Sequence, residues 1–204
     1  MPGRTPRLFG ALAALGLGLV GAACGGIRVP PPETVARAEG VESYSAALRF
    51  SLSGPRVRGR GRALVAFARP DRLRLEVPGP GGPRLLAVAR GGSLVAVFPA
   101  DRAVFRGAAD RSAFDALLGI ALTPGEVMDV LVGKPPPSLR SYLVRWGAAF
   151  PSEVDAVLPD GTRLRLSVEA PDAGASVPLA AFLEPADDAY RAIDQEEARS
   201  LWRR

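Results

Sequence analysis

Apolar and polar positions alternate between Ser45 and Leu52: Ala46, Leu48, Phe50 and Leu52 on one side, Ser45, Ala47, Arg49 and Ser51 on the other. A period of two puts the first set on a single face and predicts a half-buried antiparallel strand. After Ser53-Gly54-Pro55 the same period returns from Arg56 to Ala68. Arg56, Arg58, Arg60 and Arg62 take one face; Val57, Gly59, Gly61, Ala63, Val65 and Phe67 take the other. Glycine weakens a strand, so Gly59 and Gly61 predict a bend in a curved sheet or open space on its inner side. Asp71 to Val77 is a third strand with Leu73, Leu75 and Val77 inward, and Pro78 to Pro83 is the turn after it. Strands at Arg84 to Arg90 and Ser93 to Phe98 follow across Gly91-Gly92, with apolar residues on both faces, so the pattern does not separate inside from outside there.

The period changes in the middle of the chain. Asp110 can cap a helix whose Phe114, Leu117 and Leu118 fall on one side, and Gly119 offers a left-handed stop. Thr123-Pro124-Gly125-Glu126 has the form of a capping box with proline at the first helical position, where a missing N–H costs nothing. Val127, Val130 and Leu131 make its apolar stripe, and Gly133 with Pro135-Pro136-Pro137 ends it. Beyond this pair, Tyr142, Val144, Trp146, Ala148 and Phe150 share a strand face. Val154 to Leu158 then turns at Pro159-Asp160-Gly161-Thr162 into Arg163 to Ala170, where Leu164, Leu166 and Val168 alternate with polar residues; Asp-Gly between such runs is a hairpin signal. A helix is expected over Glu33 to Ser43, and Asp194 with Glu197 can cap a last one through Leu201 and Trp202.

The start of the chain has a different character. Arg4 and Arg7 precede an unbroken apolar and small run from Leu8 to Ala23, which reads as a secretory signal peptide and is short for a membrane span of about 20 residues. It ends in Gly21-Ala22-Ala23-Cys24, similar to the lipobox of bacterial lipoproteins, although glycine stands at Gly21 where leucine is usual. Cys24 is the single cysteine, so no disulfide framework exists. Resemblance to the lipoproteins implies that Cys24 carries the acyl chains, and two or more chains hold a protein firmly on a membrane. Residues 24–32 then form a lipidated cysteine and short proline-rich linker, and residues 33–204 a single domain. Eight linker residues reach less than ~30 Å, which keeps the domain close to its membrane.

Removal of residues 1–23 would leave 204 − 23 = 181 residues. With 26 − 2 = 24 Arg and Lys against 21 Asp and Glu, the net charge of that form is +3. The four arginines from Arg56 to Arg62, spaced about 6.7 Å apart, form either a solvated outer face or a stripe for lipid phosphates or an acidic partner. No aromatic residues interleave with them, which argues against nucleic acid. The chain has no histidine, which excludes a Ser-His-Asp triad, a His-ligated zinc site and an imidazole base. Gly133-Lys134-Pro135 lacks the rest of a phosphate loop, and Asp187, Asp188, Glu196 and Glu197 read as solvated acids near a helix. No enzyme, cofactor or metal site is expected.

In order and spacing, these pieces resemble the LolB-like outer-membrane lipoproteins of the LolA/LolB superfamily. Asp71-Arg72, Arg74-Leu75, Pro80 and Gly82 are similar to the family's strand and tip. Leu118, Gly119, Ile120, Pro124, Leu131 and Gly133 are similar to its helical pair, and Pro151 to Leu166 to its late hairpin. The resemblance implies a mainly β fold with α: an open, curved antiparallel half-barrel covered by the mid-chain pair of short helices. It implies an acyl-holding cavity lined by Leu48, Phe50, Gly59, Gly61, Ala63, Val65, Phe67, Leu73, Leu75, Phe114, Leu117, Leu131, Trp146, Leu164 and Leu166. It further implies an outer-membrane location, acyl lipid or lipoprotein cargo, a periplasmic carrier protein as a partner, and a membrane-facing loop at Pro80, Gly81 and Gly82. Gly81 stands where the receptor of the family presents an exposed leucine, so binding carries over better than delivery of cargo into a membrane. An envelope interaction or stress-sensor module of the same fold is the alternative.

Overall fold

The computed structural model describes residues 29–173, 177–183 and 189–203. The expected signal peptide, Cys24 and the linker as far as residue 28 lie outside them, as do Asp187 and Asp188.

One ten-stranded sheet organises the molecule. Its strands are β1 (Ser43–Ser53), β2 (Arg58–Ala68), β3 (Arg72–Gly79), β4 (Gly82–Arg90), β5 (Ser93–Phe98), β6 (Ala103–Ala108), β7 (Ser141–Trp146), β8 (Pro151–Val157), β9 (Arg163–Asp172) and β10 (Arg191–Ile193). Their spatial order is β10-β6-β5-β4-β3-β2-β1-β9-β8-β7. All the pairings are antiparallel except β10 with β6. The sheet does not close, since β7 and β10 lie at opposite ends of the order. Four helices accompany it: α1 (Pro32–Glu39), α2 (Arg111–Leu118), α3 (Pro124–Leu131) and α4 (Gln195–Arg203). The open, mainly antiparallel half-barrel with a mid-chain helical pair is the architecture expected from the sequence.

Local chemistry sets the helix ends. Asp110 Oδ1 accepts from the Ala113 N–H at 2.8 Å and starts α2. The capping box of α3 is complete: Thr123 Oγ1 accepts from the Glu126 N–H, and Glu126 Oε2 accepts from the Thr123 N–H. Gly119 ends α2 at φ 69°, and a Cβ there would lie 2.6 Å from Val57 Cγ2, so both backbone and space demand glycine.

Strand boundaries differ from the expected ones where turns are tighter. Pro78, Gly79 and Gly82 belong to β3 and β4, with Gly79 opposite Gly82, so Pro80-Gly81 alone makes the turn. Gly81 has φ 83°, the positive angle a type II turn requires after proline. Arg56 and Val57 precede β2. The face of Tyr142, Val144 and Trp146 stops at Trp146: Ala148 is exposed in the connection, and Phe150 packs edge-on against Tyr44.

The segment after β9 explains the two apolar faces of β4 and β5. The chain leaves β9 and a 3-10 turn, Leu179–Phe182, packs on β3 and β4 with Phe182 buried. Arg74 holds this turn by donating to the Ala181 carbonyl at 3.0 Å. The chain then adds β10 beside β6, and Tyr190 joins the outer cluster of Val95, Val97 and Val104. The inner faces of β4 and β5 meanwhile supply Leu85, Ala87, Ala89, Leu94, Ala96 and Phe98 to the main core.

Candidate functional site

Inward residues of β1, β2, β3 and β9 converge with α2 and α3 on one hollow. Leu48, Phe50, Leu52, Ala63, Val65, Leu73, Leu75, Val77, Leu164 and Leu166 form the sheet side. Phe114, Leu118, Ile120, Leu122, Val127, Val130 and Leu131 form the helical side, and Trp202 of α4 completes the lining. Every side chain in it is apolar or aromatic, so a ligand there meets no charged group. The free volume is about 80 Å³. Space of that size, walled by hydrocarbon, stays dry, and it is small beside the ~300–1,000 Å³ of ordinary ligand pockets. Occupation by a long chain therefore requires the lining to move.

Of the residues expected in the lining, the hollow brings together Leu48, Phe50, Ala63, Val65, Leu73, Leu75, Phe114, Leu131, Leu164 and Leu166. Five others lie elsewhere. Phe67 is fully buried and stacks on Tyr44 with ring centroids 5.2 Å apart. Leu117 points into the packed core beneath α2. Trp146 packs over Gly133, whose added Cβ would sit 2.6 Å from Trp146 Cζ2. Gly61 faces Phe50, its strand partner, so closely that a Cβ would meet Phe50 Cζ at 3.0 Å; the aromatic ring takes up the room the glycine leaves. Gly59 has no atom within 4 Å of where a Cβ would stand and belongs to the surface cleft described next. Pro80, Gly81 and Gly82 lie at the exposed tip of the β3–β4 hairpin and do not line the hollow.

Trp202 was not foreseen as part of the lining. It is the second-last residue of an amphipathic helix whose Ala198 and Leu201 are buried. Its ring stacks toward Phe50 at 6.4 Å, and the Arg84 guanidinium sits 5.4 Å above it. Arg84 also donates to the Trp202 carbonyl at 2.8 Å. α4 is held further by Gln195 to Ser112 at 2.8 Å and by Arg199 to Asp115 at 3.7 Å. A surface cleft of about 480 Å³ shares Phe50, Leu52, Val77 and Trp202 with the hollow and is otherwise rimmed by Arg56, Val57, Arg58, Gly59, Arg60, Gly61, Arg62, Pro78, Arg84 and Arg203.

The helical side is pinned at its far end. Arg69 donates to Asp129 Oδ1 of α3 at 2.8 Å and to the Val41 carbonyl at 3.2 Å, and lies over the Phe67 ring. Tyr142 of β7 donates to the Val130 carbonyl at 3.1 Å; burial, then the charge of Asp129, pushes its phenol above the usual range. The Glu126 side chain is largely covered, with 14% of it exposed. Burial alone would raise its pKa, but the Ser138 hydroxyl, Thr123 and Arg111 outweigh it and hold the carboxyl below its usual range.

No group of His, Cys, Asp and Glu suited to a metal ion occurs among the described residues, and none of their helices is long and apolar enough to cross a membrane. Fold and hollow together define a class: an open half-barrel that walls an apolar space with helices.

No family model matches the chain, and no curated protein does. Solved structures do. A LolA superfamily protein from Nitrosomonas europaea is 10% identical, with a TM-score of 0.45 over 77% of this chain and 99% of that one. An uncharacterised conserved protein from Thermus thermophilus is 11% identical, with a TM-score of 0.46 over 79% and 94%. A DUF1329 family protein from Desulfovibrio piger is 10% identical, with a TM-score of 0.45 over 76% and 97%.

Proposed function

We propose that this chain is a membrane-anchored lipoprotein that holds an acyl chain of a lipid or of another lipoprotein in the hollow between sheet and helices. The carrying observation is the lining itself, which is apolar on every side and reaches the surface at Trp202. A stretched acyl chain needs hydrocarbon walls and no hydrogen-bond partners, and burial of each methylene contributes about 0.8 kcal/mol. Cys24 is the anchor in this reading, the outer membrane the location, and a periplasmic carrier the source of cargo. The small free volume favours a second reading, in which the core is permanently packed and the domain is an envelope interaction module.

The two readings part on volume. Trp202→Ala should raise the amount of acyl lipid that co-purifies with the chain, measured by native mass spectrometry, and Ala63→Trp should abolish it. A parent and a Trp202→Ala variant both free of lipid, with Ala63→Trp strongly destabilised, would favour the packed module. For the anchor, labelled fatty acid should be absent from Cys24→Ser; label that persists there would sink the lipoprotein reading.

A further inference from the structure

β2 and β3 are neighbours for only part of their length. Their pairing runs from Leu64 opposite Glu76 to Ala68 opposite Arg72 and stops. β2 nevertheless continues beside β1 as far as Arg58, and β3 continues beside β4 as far as Gly79. The next partners in register would include Pro78, which has no N–H to give a ladder and which also marks an irregularity in the β3–β4 pairing. The sheet is therefore split at one end, between Arg58–Ala63 and Val77–Gly79. That split is the surface cleft above, and Trp202 stands between it and the hollow.

Charge at the split is one-sided. On β1, β7 and β9 the outer-face arginines are matched: Arg145 with Glu153 at 3.0 Å, Arg165 and Arg163 with Asp155 at 2.9 and 3.4 Å, and Arg49 with Glu169. Arg58, Arg60 and Arg62 are exposed and have no ion pair among the described residues. Arg84 on the opposite lip spends its guanidinium on a backbone carbonyl and an indole ring, both of Trp202. A carboxylate or phosphate offers guanidinium a charge-assisted and often bidentate bond, stronger than either of these.

We propose that the split between β2 and β3 is the way into the hollow, and that it takes an amphiphile with an anionic phosphate head, an anionic phospholipid. The proposal rests on the acyl-binding reading and deepens it. The head lies among Arg58, Arg60, Arg62 and Arg84, and the chain passes inward past Phe50 and Val77. Trp202 is the stopper. Transfer of Arg84 from the Trp202 carbonyl to the head frees the end of α4, so capture of the head and withdrawal of the indole occur together.

The chain has two tryptophans, and Trp146→Phe leaves Trp202 as the sole reporter. Lysophosphatidylglycerol and lysophosphatidylcholine of equal chain length, each below its micelle concentration, are titrated into this full-length variant. The anionic lipid should bind at least ten-fold more tightly at low salt and shift Trp202 emission to the red; 0.5 M salt should remove most of the preference. Serine at Arg58, Arg60 and Arg62 should bring the two lipids within about three-fold, with lysophosphatidylcholine unaffected. Serine at Arg145, Arg163 and Arg165 should leave the preference intact. Equal affinity in the parent, or a preference that survives loss of Arg58, Arg60 and Arg62, overturns the anionic portal while acyl binding stands. If neither lipid binds the parent or Trp202→Ala, the acyl reading falls as well.

Discussion

Tyr44 is fully buried, and its hydroxyl finds no hydrogen-bond partner among the described residues. A buried polar group left unsatisfied costs about 1–3 kcal/mol, whereas the ring is well placed, stacked on Phe67 and touched edge-on by Phe150. Tyr44→Phe should therefore raise stability by about 1 kcal/mol in urea unfolding at neutral pH. The same burial pushes the phenol well above its ordinary value of 10.0. Above that pH the unfolded chain ionises Tyr44 and the folded one does not, so the unfolded state gains and stability declines as pH rises. The phenylalanine variant should lose less stability than the parent between neutral pH and alkaline conditions. A destabilised variant would mean that the hydroxyl has a partner after all.

At the scale of the element, Glu126 ties α3 to its neighbours, in addition to the burial of Met128, Val130 and Leu131. This carboxylate accepts from the Thr123 N–H at 2.8 Å, from Ser138 at 2.6 Å and from Arg111 at 2.7 Å, joining the helix start to α2 and to the chain beyond α3. Its folded pKa lies below the ordinary value of 4.5. The stabilisation is thus complete above that value and is lost as pH falls through the lower, folded one. Glu126→Gln should cost about 1–2 kcal/mol at neutral pH, and the gap between variant and parent should narrow in acid. A gap that is constant with pH would assign the loss to shape rather than charge.

The capping box was readable because its signal is contained in four consecutive residues, and the strands were readable because period two is local. What α4 covers was not. Its cap at Asp194 and its Leu201 are plain in the sequence, yet only the folded chain puts Trp202 beside Phe50, which lies 152 positions earlier (202 − 50). Gly61 misled for a related reason: absence of a side chain marks space, but a neighbouring strand's Phe50 decides whether the space stays empty. Three residues of β10 carry too little pattern to be recognised as a strand, and its parallel partner is remote. Pro78, read as part of a turn, instead ends a pairing while remaining within a strand.

For the whole molecule, the position of β1 has a temporal consequence. It lies between β2, the next strand in the chain, and β9, which begins 110 residues after β1 ends (163 − 53). At a synthesis rate of about 5–20 residues per second, one border of β1 waits on the order of 5–20 s for its neighbour. Throughout that interval the backbone edge of β1 that carries Leu48, Phe50 and Leu52 is unpaired, the condition that recruits foreign strands. The expected outcome is a nascent chain that depends on a holding chaperone until β9 arrives. A fragment ending at Trp146 should associate into sedimenting aggregates at micromolar concentration, while the complete chain remains dispersed; a monomeric, soluble fragment would show that β2 to β7 and the helices between them protect β1 without help.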